Sequence, residues 1–197
     1  VSDCVVMYGP IQFVRKKNRG YIPGAYGFKR DTDTSHYFTQ LPKDWFFNED
    51  RIYLPFGLIS NSKELLHGLF GNHIFIRPDS GFKSFTGFDV TLDKLDEELN
   101  ALRQLKNPFP NEMCLISKAK PIKAEYRLVV CNNQIVTGSQ YRWDDRLDIR
   151  IDIHHECYQF AERVAAAQWQ LDTVYTVDVF LLSLIHISEP TRQAEIS

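Results

Sequence analysis

The stretch from Glu125 to Tyr141 restricts the fold more than any other part of this sequence. Two β-prone runs, Glu125-Tyr-Arg-Leu-Val-Val-Cys131 and Ile135-Val-Thr-Gly-Ser-Gln-Tyr141, are joined through Asn132-Asn133. Asparagine tolerates the positive φ of a tight turn, so the runs are expected to form an antiparallel hairpin. Upstream, Ser62-Lys-Glu-Leu-Leu-His-Gly68 reads as a short helix, and His73-Ile-Phe-Ile-Arg77 as a strand stopped by Pro78. Leucines at 92, 95, 99, 102 and 105 keep steps of three and four. That spacing predicts a one-faced helix, with Thr91 as its N-cap and Pro108 beyond its end, and the stripe is core rather than a cofactor box. Cys114-Leu-Ile-Ser117 is another β run, His154 to Gln170 a second helix with Phe160, Val164 and Ala167 on one side, and Val174 to Phe180 a final strand. Residues 1–60 are rich in aromatics and turn formers, with extended runs around Val5–Tyr8 and Ile52–Leu54. Strand, helix, strand, hairpin, helix, strand, without repeats or low-complexity segments, is an α+β order.

Composition narrows the class. With 44% hydrophobic and 24% charged residues in 197, the chain is globular and long enough for one sizeable core. A formal net charge of −2 offers no overall positive excess for a phosphate backbone, so nucleic-acid binding is unsupported. No apolar run approaches the ~20 residues of a membrane-spanning helix. Cys4, Cys114, Cys131 and Cys157 form no CxxC and read as reduced, mostly buried thiols of a cytosolic protein, without a structural zinc site. His154 and Cys157 lie three apart at a helix start, but no further ligands accompany them, and Cys157 is expected to turn to the core.

Both ends are expected to be unnatural. The chain starts at Val1, close to a strand-like run, and Leu182-Ser-Leu-Ile-His-Ile-Ser-Glu-Pro-Thr-Arg192 resembles the in-frame translation of a mosaic-end sequencing adapter. Residues 182–197 are therefore set aside as read-through.

Three stretches carry chemistry. In Phe75-Ile-Arg-Pro-Asp-Ser-Gly-Phe-Lys-Ser-Phe-Thr-Gly87 a strand delivers Arg77, and a glycine-bearing loop brings Lys83, Ser84 and Thr86. Cations, hydroxyls and exposed backbone N–H groups suit polyphosphate, although a structural turn with a solvated lysine fits the bare pattern too. Glu125 and Arg127, two apart on a strand, share a face, and antiparallel pairing is expected to bring Arg142 near Arg127. Such a face suits an anionic ligand, or is solvated with surface ion pairs. Asp178 interrupts the apolar run Tyr175-Thr-Val-Asp-Val-Phe180, as a buried structural carboxylate or as a ligand for a hard cation.

Taken in this order, the stretches resemble the ATP-grasp superfamily, and within it a phage and bacterial clade with arginine in place of the usual phosphate-binding lysine. The resemblance rests on Arg77-Pro78 with the loop through Gly87, on Glu125-Tyr-Arg127, and on Asp178. It implies two α+β lobes with nucleotide between them: residues 1–60 ahead of the lobes, an N-lobe over 61–120, and an incomplete C-lobe over 121–181. It implies a bacterial or phage-infected cytoplasm and an ATP-dependent carboxylate–amine ligase working through an acyl-phosphate on amino acids, peptides or proteins. Arg77, Lys83 and Ser84 then hold phosphates, Lys118 lies by the base, and Glu125 contacts nucleotide. Arg127 and Arg142 hold acyl-phosphate oxygens, and Asp178 holds magnesium. A second metal station, Glu-x-Asn, is absent downstream of Asp178, as is an acidic residue in Cys114–Lys118. The rival expectation is a non-catalytic module gripping an anionic partner such as nucleic acid or a phosphoprotein.

Overall fold

The computed structural model describes residues 32–81, 83–144 and 146–183, and the backbone of 194–196. The run Val5–Tyr8, Cys4 and most of the tail from Leu182 lie outside them. Elements run α1 (Thr34–Tyr37), β1 (Arg51–Pro55), α2 (Lys63–Phe70), β2 (His73–Pro78), β3 (Phe88–Thr91), α3 (Leu95–Leu105), β4 (Met113–Lys118), β5 (Ile122–Cys131), β6 (Gln134–Trp143), β7 (Arg146–Arg150), α4 (His155–Ala165), β8 (Val174–Leu182) and β9 (Ala194–Ile196). They form two antiparallel sheets, in the orders β1-β4-β2-β3 and β7-β6-β5-β8-β9.

The hairpin forms as the sequence predicts. Cys131 pairs with Gln134 across Asn132 and Asn133, whose φ values of 48° and 63° are those of a two-residue type I′ turn. β5 then pairs with β8 on its other side, which makes it the centre of the second sheet.

Two hydrophobic clusters form rather than one core. Leu66, Phe70, Leu95 and Leu99 pack with Ile74, Ile76, Cys114 and Ile116, so α2 and α3 cover one face of the first sheet. Leu115 and Phe75, from the same sheet, belong with or pack against the second cluster, which holds Tyr126, Leu128, Phe160 and Val164. Alternation along β2 and β4 thus gives the first sheet two apolar faces. Phe38 and Phe46 also join the second cluster, which ties the segment before β1 to the second sheet.

Three details differ from the sequence expectation. Thr91 is no N-cap: it pairs with His73 as the last residue of β3, and α3 starts after Lys94. The leucine stripe is accordingly core only at its start, for Leu95 and Leu99 are fully buried and Leu105 is 79% exposed. α4 stops at Ala165 because the Gln170 side chain folds back and donates to the carbonyls of Ala165 and Ala167, at 3.1 and 2.7 Å. Cys114 and Cys157 are buried free thiols, both pushed up to about 12 by desolvation, while Cys131 is half-buried. Among the described residues no helix is long and apolar enough to cross a membrane.

The uneven stripe predicts uneven mutational cost. Leu99→Ala is expected to destabilise by about 2–5 kcal/mol, as truncation in a closed core does, and Leu105→Ala to change stability by less than about 0.5 kcal/mol. Urea unfolding midpoints of the two variants check this.

Candidate functional site

Strand alternation aims the site. Ile74 and Ile76 of β2 enter the first cluster, so Phe75 and Arg77 face the opposite way, toward the second sheet. Between the sheets lies a cavity of about 440 Å³, lined from the first side by Arg77, Lys83 and Thr86 and from the second by Glu125, Arg127, Arg142 and Asp178.

The loop from Asp79 to Gly87 is anchored at several points. Asp79 accepts hydrogen bonds from the Thr34 and Ser35 hydroxyls at 2.6 and 2.7 Å and from the Ser35 N–H at 2.7 Å, which satisfies the start of α1. Phe85 is buried against Phe56 and Phe88, and the Lys83 and Thr86 on either side of it face the cavity. Both loop glycines are close-approach positions. A Cβ at Gly81 would collide with the Thr32 hydroxyl, and one at Gly87 would stand 2.6 Å from the Phe75 ring. Lys83 adopts φ 49°, an uncommon backbone for a side chain with a Cβ. Desolvation of its amine, and then the neighbouring Arg77, lower its pKa, while Asp178 works the other way.

The second sheet presents an alternating row of charges. Arg142 stands opposite Glu125 across β5 and β6, and its Nη1 lies 3.2 Å from the Glu125 Oε1. The Tyr141 hydroxyl donates to the other Glu125 oxygen, and burial followed by that bond raises the phenol pKa. Arg127 stands opposite Asp178 across β5 and β8 and grips it with two bonds, Nε to Oδ1 at 2.7 Å and Nη2 to Oδ2 at 2.8 Å. That pairing raises Arg127 further above its already high value.

Six of the expected residues therefore line one cavity: Arg77, Lys83, Glu125, Arg127, Arg142 and Asp178. Ser84 and Lys118 do not. The Ser84 hydroxyl turns to Glu112 at 2.5 Å, and Lys118, in step with the core-facing Cys114 and Ile116, is exposed at the end of its strand. Arg142 faces Glu125 rather than pairing beside Arg127. Lys120 and Asn48 line the cavity unanticipated. The alternation in Lys118-Ala-Lys120 could have pointed to Lys120. Asn48 had no signal; its Oδ1 accepts from Ser117 at 2.8 Å, and its buried Nδ2 has no partner among the described residues.

A magnesium ion needs about six oxygen ligands. Among the described residues no three His, Cys, Asp or Glu side chains cluster, and Arg127 holds both Asp178 oxygens. In this arrangement the described residues do not fit the ion.

Residues 63–183 match a family described as an ATP-grasp domain, family 2 of the arginine-for-lysine clade. Among solved structures, D-cycloserine synthetase DcsG aligns with a TM-score of 0.56 at 7% identity, over 85% of this chain and 61% of that one. D-alanine–D-alanine ligase from Bacillus anthracis gives 0.53 at 14%, over 84% and 55%, and the ATP-grasp ligase PsnB with its minimal precursor gives 0.52 at 12%, over 84% and 50%. At these identities the likeness shows the fold, and the chain spans between 50% and 61% of the length of these structures. No curated protein matches the sequence. The family match takes in more than half of the chain and coincides with both sheets and the charged cavity between them: the protein belongs to the ATP-grasp superfamily, in the second family of that clade.

Proposed function

We propose that the cavity binds ATP and that the protein serves an ATP-dependent carboxylate–amine ligase reaction. The observation that carries this reading is the convergence of Arg77 and Lys83 from one sheet with Arg127 and Arg142 from the other on a single cavity. PsnB, of the same fold, is known in complex with Mg and ADP, which supports the nucleotide assignment.

In the reaction, a carboxylate oxygen attacks the γ-phosphorus, the bond to the β,γ-bridging oxygen breaks, and ADP leaves with that electron pair. An amine nitrogen then attacks the acyl carbon, inorganic phosphate departs, and the nitrogen loses a proton to give the amide. The protein's task is to position the groups and to balance charge. Arg77 and Lys83 hold the phosphate oxygens, Arg127 and Arg142 stabilise the acyl-phosphate, and Glu125 faces the nucleotide. Ser84 acts at one remove, steadying the loop through Glu112. Magnesium at Asp178 competes with Arg127 for the same two oxygens, and that competition separates the roles of the pair.

Two outcomes test the reading. Arg77→Ala is expected to weaken ATP about ten- to a hundredfold by calorimetric titration, the loss of one charge-assisted contact; unchanged affinity removes Arg77 from the phosphate site. Asp178→Asn takes a negative charge from the cavity and releases Arg127. With EDTA present it should tighten metal-free ATP by roughly three- to tenfold, and a weaker ATP would mean that the carboxylate itself supports the nucleotide. ATP-dependent phosphate release with a panel of carboxylates and amines then decides between ligase and binding module.

A further inference from the structure

Arg77, Lys83 and Asp178 also line a second cavity, of about 230 Å³, which meets the nucleotide cavity at these three residues. Its remaining wall is mostly apolar and comes from three places: Tyr37, Leu41 and Phe46 around α1, Trp169 and Leu171 after α4, and Tyr175 at the start of β8. Among the described residues, the only charged groups on this wall are the three that it shares with the larger cavity. Asp178 is already neutralised by Arg127. The charge left at the junction is thus the positive charge of Arg77 and Lys83.

We infer that this second cavity receives the carboxylate substrate, with its carboxylate at Arg77 and Lys83 and an aromatic or branched aliphatic body among Tyr37, Phe46, Trp169 and Leu171. The inference rests on the ligase reading and names its substrate class. Three features point the same way. Charge complementarity fixes the orientation, since an anion is welcome only at the shared end. That end is where a carboxylate oxygen must lie to meet a γ-phosphate held by the same two cations. The size is right as well: a dry cavity of about 150 Å³ takes a benzene ring, so this one takes a ring on a short stem. A small polar acid would leave the apolar wall wet and gain little from it.

The probe is 3-phenylpropionate, titrated into the full chain by saturation-transfer NMR beside its neutral amide, 3-phenylpropanamide, and acetate. The inference expects 3-phenylpropionate to bind about tenfold tighter than either, because each comparator lacks one of the two matched features. Trp169 stands outside both hydrophobic clusters, so Trp169→Ala leaves the core intact. That variant should weaken the probe by roughly tenfold while ATP affinity stays within about twofold. Equal binding of the three compounds, or a probe affinity that Trp169→Ala leaves unchanged, overturns the inference. ATP titrations of the same samples keep the two readings apart. ATP binding without probe binding sinks the substrate pocket alone. Trp169-dependent probe binding in a chain that ignores ATP supports the carboxylate pocket and overturns the nucleotide reading.

Discussion

Arg127 and Asp178 share two hydrogen bonds across neighbouring strands, and the charged face of the second sheet depends on that pairing. The opposite face of β5 and β8 carries Leu128, Val130, Val177 and Val179 in a closed core, so the strand positions cannot shift without exposing apolar surface. Charges on such a sheet are stable only when compensated in place. The row provides this in sequence: Arg142 against Glu125, Tyr141 donating to Glu125 while its ring lies 5.3 Å from Arg127, and Arg127 against Asp178. Half-exposed ion pairs add little stability singly. Their effect is to fix three side chains in one orientation over the cavity.

The first sheet solves a different problem. β4 lies between β1 and β2 and is buried from Cys114 to Ser117, with alternate residues in the two clusters. It therefore binds the helices above to the second sheet below. The phosphate loop hangs from this layer by Asp79, Phe85 and Ser84, each attached to a different neighbour. A loop secured at three points can hold Lys83 at positive φ, a conformation that a free loop would relax.

What the sequence disclosed follows from the range of the forces involved. The Asn132-Asn133 hairpin is a local matter of turn geometry, and it was legible. So was the face shared by Glu125 and Arg127, which strand periodicity decides. Four-residue β3 has too short a pattern to read, and its ladder with β2 is what removes Thr91 from the helix. β7, Arg-Leu-Asp-Ile-Arg, alternates clearly but leaves Leu147 and Ile149 exposed, so burial gives its pattern no direction. Of the site, the cations of the loop and the Glu125 and Asp178 carboxylates could be listed from the sequence, but not their partners. That Arg142 meets Glu125, and that Lys120 rather than Lys118 faces the cavity, depends on registers between strands distant in sequence.

Lys83 is where compensation runs short. Every other cation named in the row has a carboxylate opposite it, whereas Lys83 feels Arg77 and Arg127 as well as Asp178, and its amine is partly desolvated. Its folded pKa is lowered, so the folded chain binds its proton less readily than the unfolded chain does. By linkage this lysine therefore opposes folding below the lowered pKa, where it must carry its charge, and ceases to do so as the pH rises through the unfolded value. An anion arriving between Arg77 and Lys83 reverses the imbalance, because its charge favours the protonated amine and offsets the repulsion from the two arginines. The site is thus least comfortable when empty. Strain at an unusual φ, a crowded set of cations and a discouraged proton all concentrate at one residue, and that residue stands at the junction of both cavities.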